Sequence, residues 1–396
     1  MLRFAPLGLL IATACSAAPQ DANRAAPKPS TEVPENSPLE PDIVNVPATT
    51  GRANLSPSAP PFTVTTVGQF AEPFAMAFLP DGRLLVTEKA GRLKLRGTDG
   101  AVVNIAGAPP VAKGGQGGLL DVAIAPDFAT SKTIYLTYSE PGAEGSALAL
   151  MRATLDDRAN SLTKTDVIWR SGMNGPGGQF GANILFSPDG QYLFLSSGER
   201  QRFTPAQDPK QALGKILRLT LDGQAAPGNP MYDKGGVEAM TWSTGHRNPY
   251  GMVFTPDGRL WEEEMGPRGG DELNLILPGK KSGWPIVSNG DNYSGQPIPN
   301  HPSKPEFEAP KLWWNPSISP GGMIYYSGAM FPELKGSLLI TAMSDAGLMH
   351  VTLSGDTASP AHFWDFGARL RDIAQAPDGS IWLLEDDGKL VRLTPR

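Results

Sequence analysis

Residues 183–200 read NILFSPDGQYLFLSSGER, an apolar run, a Pro-Asp-Gly turn and a second apolar run. Proline presets the first turn position, aspartate bonds the backbone beyond it and glycine accepts positive φ, so the stretch predicts an antiparallel hairpin. The phrase returns as FAMAFLPDGRLLVTEKAGRLKL from Phe74, DVAIAPDFATSKTIYLTYSE from Asp121, GMVFTPDGRLWEEE from Gly251 and DIAQAPDGSIWLLEDDGKLVRL from Asp372. FPELKGSLLITAM, from Phe331, is a degenerate copy. The turns begin at Pro80, Pro126, Pro188, Pro256, Pro332 and Pro377. Their spacing of roughly 45 to 75 residues, with no helix-length amphipathic segment between, predicts an all-β fold: a six-bladed β-propeller of four-stranded antiparallel sheets. A β-sandwich is the alternative, but it would not need the same hairpin so many times.

The rest of the chain fits around that repeat. At 396 residues, 40% hydrophobic and 19% charged, a sizeable core is available, and a net charge of −6 with no basic block argues against nucleic acid as a partner. The first residues, MLRFAPLGLLIATACSAAPQ, combine Arg3, a short apolar run and small residues ending at Cys15. This predicts an export signal too short to span a membrane. Ala12, Thr13 and Ala14 before Cys15 resemble a bacterial lipoprotein signal; an ordinary cleaved signal with an incidental cysteine is the alternative. Cys15 is the only cysteine, so it has no internal disulfide partner and is better explained as a lipid attachment point. Residues 16–61, rich in Ala, Pro, Ser and Asn, are expected to be a disordered tether, with the propeller occupying 62–396.

In a propeller the loops at one end of the blades converge on the central channel, where sites form. The unusual loops are KGGQGGLLD, GPGGQFGAN, STGHRNPYG, EEMGPRGGDELN and GARLRD. STGHRNPYGMVF and EMGPRGGDELNLILPGKKSGWPIVSNGDNYSG resemble the soluble aldose sugar dehydrogenases that use pyrroloquinoline quinone, the glucose/sorbosone dehydrogenase family. GGQGGLLDVAIAPDF, GKILRLTLDG, NPSISPGGMIYYSG and RLRDIAQAPDG fit the same family, so the likeness runs from about Phe62 to the end of the chain. It implies quinone and calcium at the channel mouth, an aldose substrate and an external electron acceptor.

The residue types suit that chemistry. The quinone carries several carboxylates, for which Arg247, Arg369 and Arg371 are cationic forks, while Gln116 and Asn248 can hydrogen-bond its polar edge. The resemblance assigns the calcium beside the quinone to the carbonyls of Gly266 and Pro267, since calcium prefers oxygen ligands. It assigns Glu272 to a second, structural calcium, although Ser282 stands where relatives have a helping tyrosine. WEEEMGPRGGDELN, residues 261–274, crowds five carboxylates together. Those of Glu262, Glu263 and Glu264 are expected to form a solvated strand end.

Departures from the family pattern cluster at the reacting centre. Gln179 stands where relatives carry the histidine that takes the sugar hydroxyl proton, and glutamine cannot accept a proton near neutral pH. Asn183 replaces an arginine, Met265 a histidine and Ser344 a lysine. His246 and Asp121 are the candidates for a substitute base, His246 being set against a structural role behind its loop and Asp121 against that of a turn or strand-end carboxylate. Three functions follow: a tethered quinone dehydrogenase, a propeller that binds ligand without turnover, and a calcium propeller hydrolase such as a lactonase. The third is disfavoured because no acidic set converges visibly in the sequence.

Overall fold

The computed structural model describes residues 54–172 and 174–396. Six four-stranded antiparallel sheets follow one another around a ring. Blade one covers residues 73–105, blade two 119–170, blade three 181–244, blade four 249–314 and blade five 320–365. Blade six is built from 370–395 and receives Phe62–Gln69 as its outermost strand, Phe62 facing Pro395 and Gln69 facing Lys389. The first described strand thus closes the ring on the last. The predicted signal, Cys15 and most of the tether lie outside the described residues. Residues 54–61 run along blade five, where Pro57 pairs with Phe363 and the Ser58 amide donates to the Phe363 carbonyl.

The repeated phrase does what its chemistry dictates. In four copies the turn aspartate accepts the amide two residues on: Asp81 from Arg83, Asp189 from Gln191, Asp257 from Arg259 and Asp378 from Ser380. The glycine between them takes positive φ, as at Gly82 and Gly379 (both +85°). Where Phe128 replaces that glycine, a short helical turn, Phe128–Ser131, takes over.

The innermost strands are Pro73–Phe78, Leu119–Ile124, Gly181–Phe186, Pro249–Phe254, Pro320–Tyr326 and Leu370–Gln375, and each packs on its two neighbours around the channel. All six shift register near their first residues, for example between Leu119 and Val122 and between Gly181 and Ile184. Such bulges re-aim side chains and cluster beside functional sites. Here they lie where the unusual loops enter the blades, and Asp121, Asn183 and Asp372 fall at or beside them. Between the blades the faces meet in apolar clusters that fully bury Trp261, Trp314 and Trp364.

Candidate functional site

The five loops do meet at one rim. The backbone of Gly118 lies so close to blade one that a Cβ there would clash with the Lys89 carbonyl oxygen, which explains a glycine of KGGQGG. That approach sets Gln116 against blade three, where its Oε1 accepts the Gln179 amide at 2.5 Å and lies 3.4 Å from the Tyr250 hydroxyl. Gln179 is buried with left-handed backbone (φ +53°), and its side-chain oxygen accepts the Gln201 amide at 3.2 Å. Such strain persists only where the surroundings over-determine it.

The residue that holds this loop was not foreseen. Arg200 is buried, donates to the carbonyls of Ser146, Gly175, Gly177 and Gly178, and stacks 3.8 Å over Phe180. Burial lowers its pKa to about 10, still cationic at neutral pH. Its signal was present as a charged pair closing LSSGER, a place where an apolar strand should simply end.

Across the channel the cations outnumber their partners. Arg371 donates to Asp386 Oδ1 at 3.0 and 2.6 Å and Arg369 to Oδ2 at 3.1 Å, while Lys89 stands 4.0 Å away. Burial works to raise Asp386, but Arg371 and Arg369 outweigh it and keep the carboxyl below its usual range. Burial, then Arg371, pushes the Lys89 pKa down. Three cations share one carboxylate, which leaves a net positive field. Arg371 also lies over the Phe74 ring at 5.6 Å.

The GPRGG turn completes the rim. A Cβ on Gly266 would clash with the Gly269 carbonyl oxygen, so the turn closes only with glycine there. Asp271 accepts the Gly266, Ile318 and Ser319 amides and ties this turn to blade five. Arg247 donates to the carbonyls of Met265 (3.0 Å) and Gly266 (2.6 Å) and to the Tyr293 hydroxyl, above Trp284. Pro267 is buried beside Gly266. A small cavity behind the turn is lined by Arg247, Glu264, Gly266, Glu272, Ser282 and Trp284. Glu272 and Ser282 are therefore neighbours, and Glu272 meets His301 at 3.4 Å.

Several expectations need correction. Glu262, Glu263 and Glu264 are not a solvated strand end: their exposures are 0, 0 and 3%. The strand Leu260–Glu264 is sandwiched within blade four and between blades, so both its faces are covered. His246 and Asn248 are fully buried too. His246 bonds Ser243 through Nε2 (2.6 Å) and Glu264 through Nδ1 (3.2 Å), which is the buttress arrangement and leaves no ring nitrogen for a substrate. Asn248 accepts the Gly181 amide and donates toward the Met265 sulfur at 3.6 Å, which sets it where those loops meet.

Nor are acidic residues as dispersed as the sequence suggests. Asp121 has its pKa raised by burial to about 7, and Asp372 is raised to about 8 by burial and by Asp121. Glu263 is raised well above the usual range by burial and then by Asp271, Glu264 and Asp372. The first two, however, are engaged by backbone: Asp121 accepts the Val122 and Ile184 amides, and Asp372 accepts that of Met76. Asn183 adds its amide to Asp121 at 3.1 Å and accepts the Met252 amide, bracing blades two, three and four. Ser344 is exposed and turned to Ser317 and Ser319.

A six-bladed propeller with a cationic site at one channel mouth defines the class. Within it, the chain belongs to the glucose/sorbosone dehydrogenase family, whose model matches residues 70–392. It is similar to the aldose sugar dehydrogenase YliI of Escherichia coli, 38% identical over 337 residues that cover 82% of this chain and 90% of that protein. Among solved structures it resembles the apo-form of the soluble aldose sugar dehydrogenase from Escherichia coli, with TM-score 0.78 and 35% identity over 85% of this chain and all of that one. It also resembles the PQQ-bound aldose sugar dehydrogenase of Streptomyces coelicolor, with TM-score 0.70 and 28% identity over 86% of this chain and all of that one.

Proposed function

We propose that this chain is a quinone-dependent aldose dehydrogenase of the bacterial cell envelope, oxidising the C1 hydroxyl of an aldose to the lactone. The observation that carries this reading is the excess of cations at the mouth: Lys89, Arg369 and Arg371 around Asp386, facing a rim completed by Arg247. A ligand with several carboxylates, such as pyrroloquinoline quinone, would neutralise that field. The Nε of Arg247 is buried without a partner, as expected of a fork waiting for an acceptor. The carbonyls of Gly266 and Pro267 are oxygen donors of the kind calcium takes.

When bound, the quinone with calcium supplies an electrophilic carbonyl that accepts hydride from C1. The protein's own part is to bind and to orient. Arg371, Arg369 and Lys89 would hold carboxylate at one side of the mouth and Arg247 at the other, while Gln116 fixes the loop that carries Gln179. The amide of Gln179 can position a sugar hydroxyl but cannot take its proton, and residues 174–183 contain no group that titrates near neutral pH. Slow turnover follows. For the same reason a second reading stands beside the first: a propeller that binds the quinone or another anion without turnover.

The N-terminal pattern around Cys15 supports an exported, lipid-anchored protein in the periplasm. The enzymatic reading is tested by adding quinone and calcium to purified protein and measuring dye reduction across an aldose panel. Aldose-dependent reduction supports the dehydrogenase; tight quinone binding with no reduction leaves the binding propeller.

A further inference from the structure

Glu262 and Glu264 alternate with Glu263 along one strand, so both turn to the same face, away from the side of Glu263. There they meet His246: one donor atom from each of the three lies within 4.8 Å of the others, and all three residues are buried. Asn274, on the neighbouring strand, reaches Glu262 at 3.1 Å, Glu264 at 3.2 Å and Glu272 at 3.3 Å through a single amide nitrogen. No lysine or arginine forms an ion pair with Glu262, Glu264 or Glu272 among the described residues.

The second observation is a specific atom. Oε1 of Glu262, in a residue with no exposed surface, has no hydrogen-bond partner. A proton on Glu262 would ease the charge but would still leave a buried hydroxyl or carbonyl oxygen unmet, at a cost of roughly 1–3 kcal/mol. A cation in the triangle would satisfy that oxygen and the charge together. We propose that His246, Glu262 and Glu264 form a structural site for a divalent cation of the manganese or zinc type, which would stand between His246 Nδ1 and Glu264 in place of their direct bond while Nε2 keeps Ser243. An imidazole with two carboxylates suits those ions better than calcium or magnesium, which favour all-oxygen shells. Asn274 is placed to offer its amide oxygen, since the two ends of an amide exchange by a half-turn. The site is separate from the carbonyls of Gly266 and Pro267 and does not depend on quinone binding. It has a structural consequence, because the other oxygen of Glu264 accepts the amides of Arg247 (2.5 Å) and Asn248 (3.2 Å). A cation there would pin the loop that carries Arg247 from behind.

Elemental analysis of the purified protein after dialysis against a mild chelator should find close to one manganese or zinc per chain. Protein unfolded in strong chelator and refolded should melt about 5 °C higher with manganese or zinc present than without. Glu262→Gln keeps shape and most hydrogen bonds; it should abolish retention and the thermal shift while leaving any calcium response unchanged. If that variant fails to fold, anomalous scattering from crystals of wild-type protein refolded with manganese decides the matter, with a peak expected between His246, Glu262 and Glu264. Wild type that retains no such metal and gains no stability from it, an equal shift in Glu262→Gln, or an anomalous peak elsewhere would each overturn the proposal.

Discussion

The guanidinium of Arg247 donates to the carbonyl oxygen of Gly266 at 2.6 Å, so the group expected to clamp the quinone rests on the atom expected to bind calcium. The two ligands should therefore help each other. Calcium at Gly266 would compete for that carbonyl and free Arg247 to turn to a carboxylate. Calorimetry should show quinone binding tighter with calcium than with chelator. Arg371→Ala should weaken it by roughly 2 to 5 kcal/mol, much of that from the stranded partner charge. Equal affinities with and without calcium would contradict the coupling.

On the proposed function, Gln179 is expected to limit the rate. General-base assistance typically supplies about 10² to 10⁴ in rate, so wild type should turn aldoses over slowly and Gln179→His should raise kcat with little change in quinone affinity. Asn183→Arg added to it should raise kcat further, because Asn183 now bonds Asp121, which an arginine would pair. Brisk wild-type turnover abolished by Asp121→Asn would show instead that Asp121 is the base.

The buried carboxylates predict a pH dependence of stability. Asp121 and Asp372 have folded pKa values of about 7 and about 8, above an unfolded value near 3.8, so the folded state binds more protons. Their contribution is fully present below about pH 4 and is lost as pH rises through about 7 to 8, each tenfold difference in proton affinity between the folded and unfolded states being worth about 1.4 kcal/mol. In chelator, the apoprotein should melt at a lower temperature at pH 8 than at pH 5.5. Asp121→Asn should flatten that slope while lowering the melting temperature throughout, because its NH2 must face a backbone N–H that Asp121 now accepts; an unchanged slope would remove Asp121 from the account.

Cys15→Ala should leave the protein unprocessed or release it from the membrane fraction. Wild-type protein that is wholly soluble with an unmodified mature terminus would remove the tether.

The fold was legible because each blade advertises itself through a local turn whose chemistry is nearly context-free: Asp189 and Asp378 cap their turns as any Pro-Asp-Gly sequence would. Arg247, Arg369 and Arg371 stood out for a different reason, the resemblance of their loops to one family, and the fold brings Arg369 and Arg371 onto a single carboxylate, Asp386. What hid was the status of charged residues inside strands. Glu262 to Glu264 look like a wet edge in one dimension, and only the packing of blade four against its neighbours shows them dry. Arg200 was missed on the same ground: its carbonyl partners lie 22 to 54 residues away and are joined only by the closing of the ring.

Hydride transfer itself is read by mixing quinone- and calcium-loaded protein with excess aldose under anaerobic conditions and following the cofactor's absorbance. The oxidised spectrum should decay slowly in wild type and faster in Gln179→His, with one lactone formed per bound quinone. A cofactor that stays oxidised in both proteins across the aldose panel would contradict the dehydrogenase and leave a ligand-binding propeller in its place.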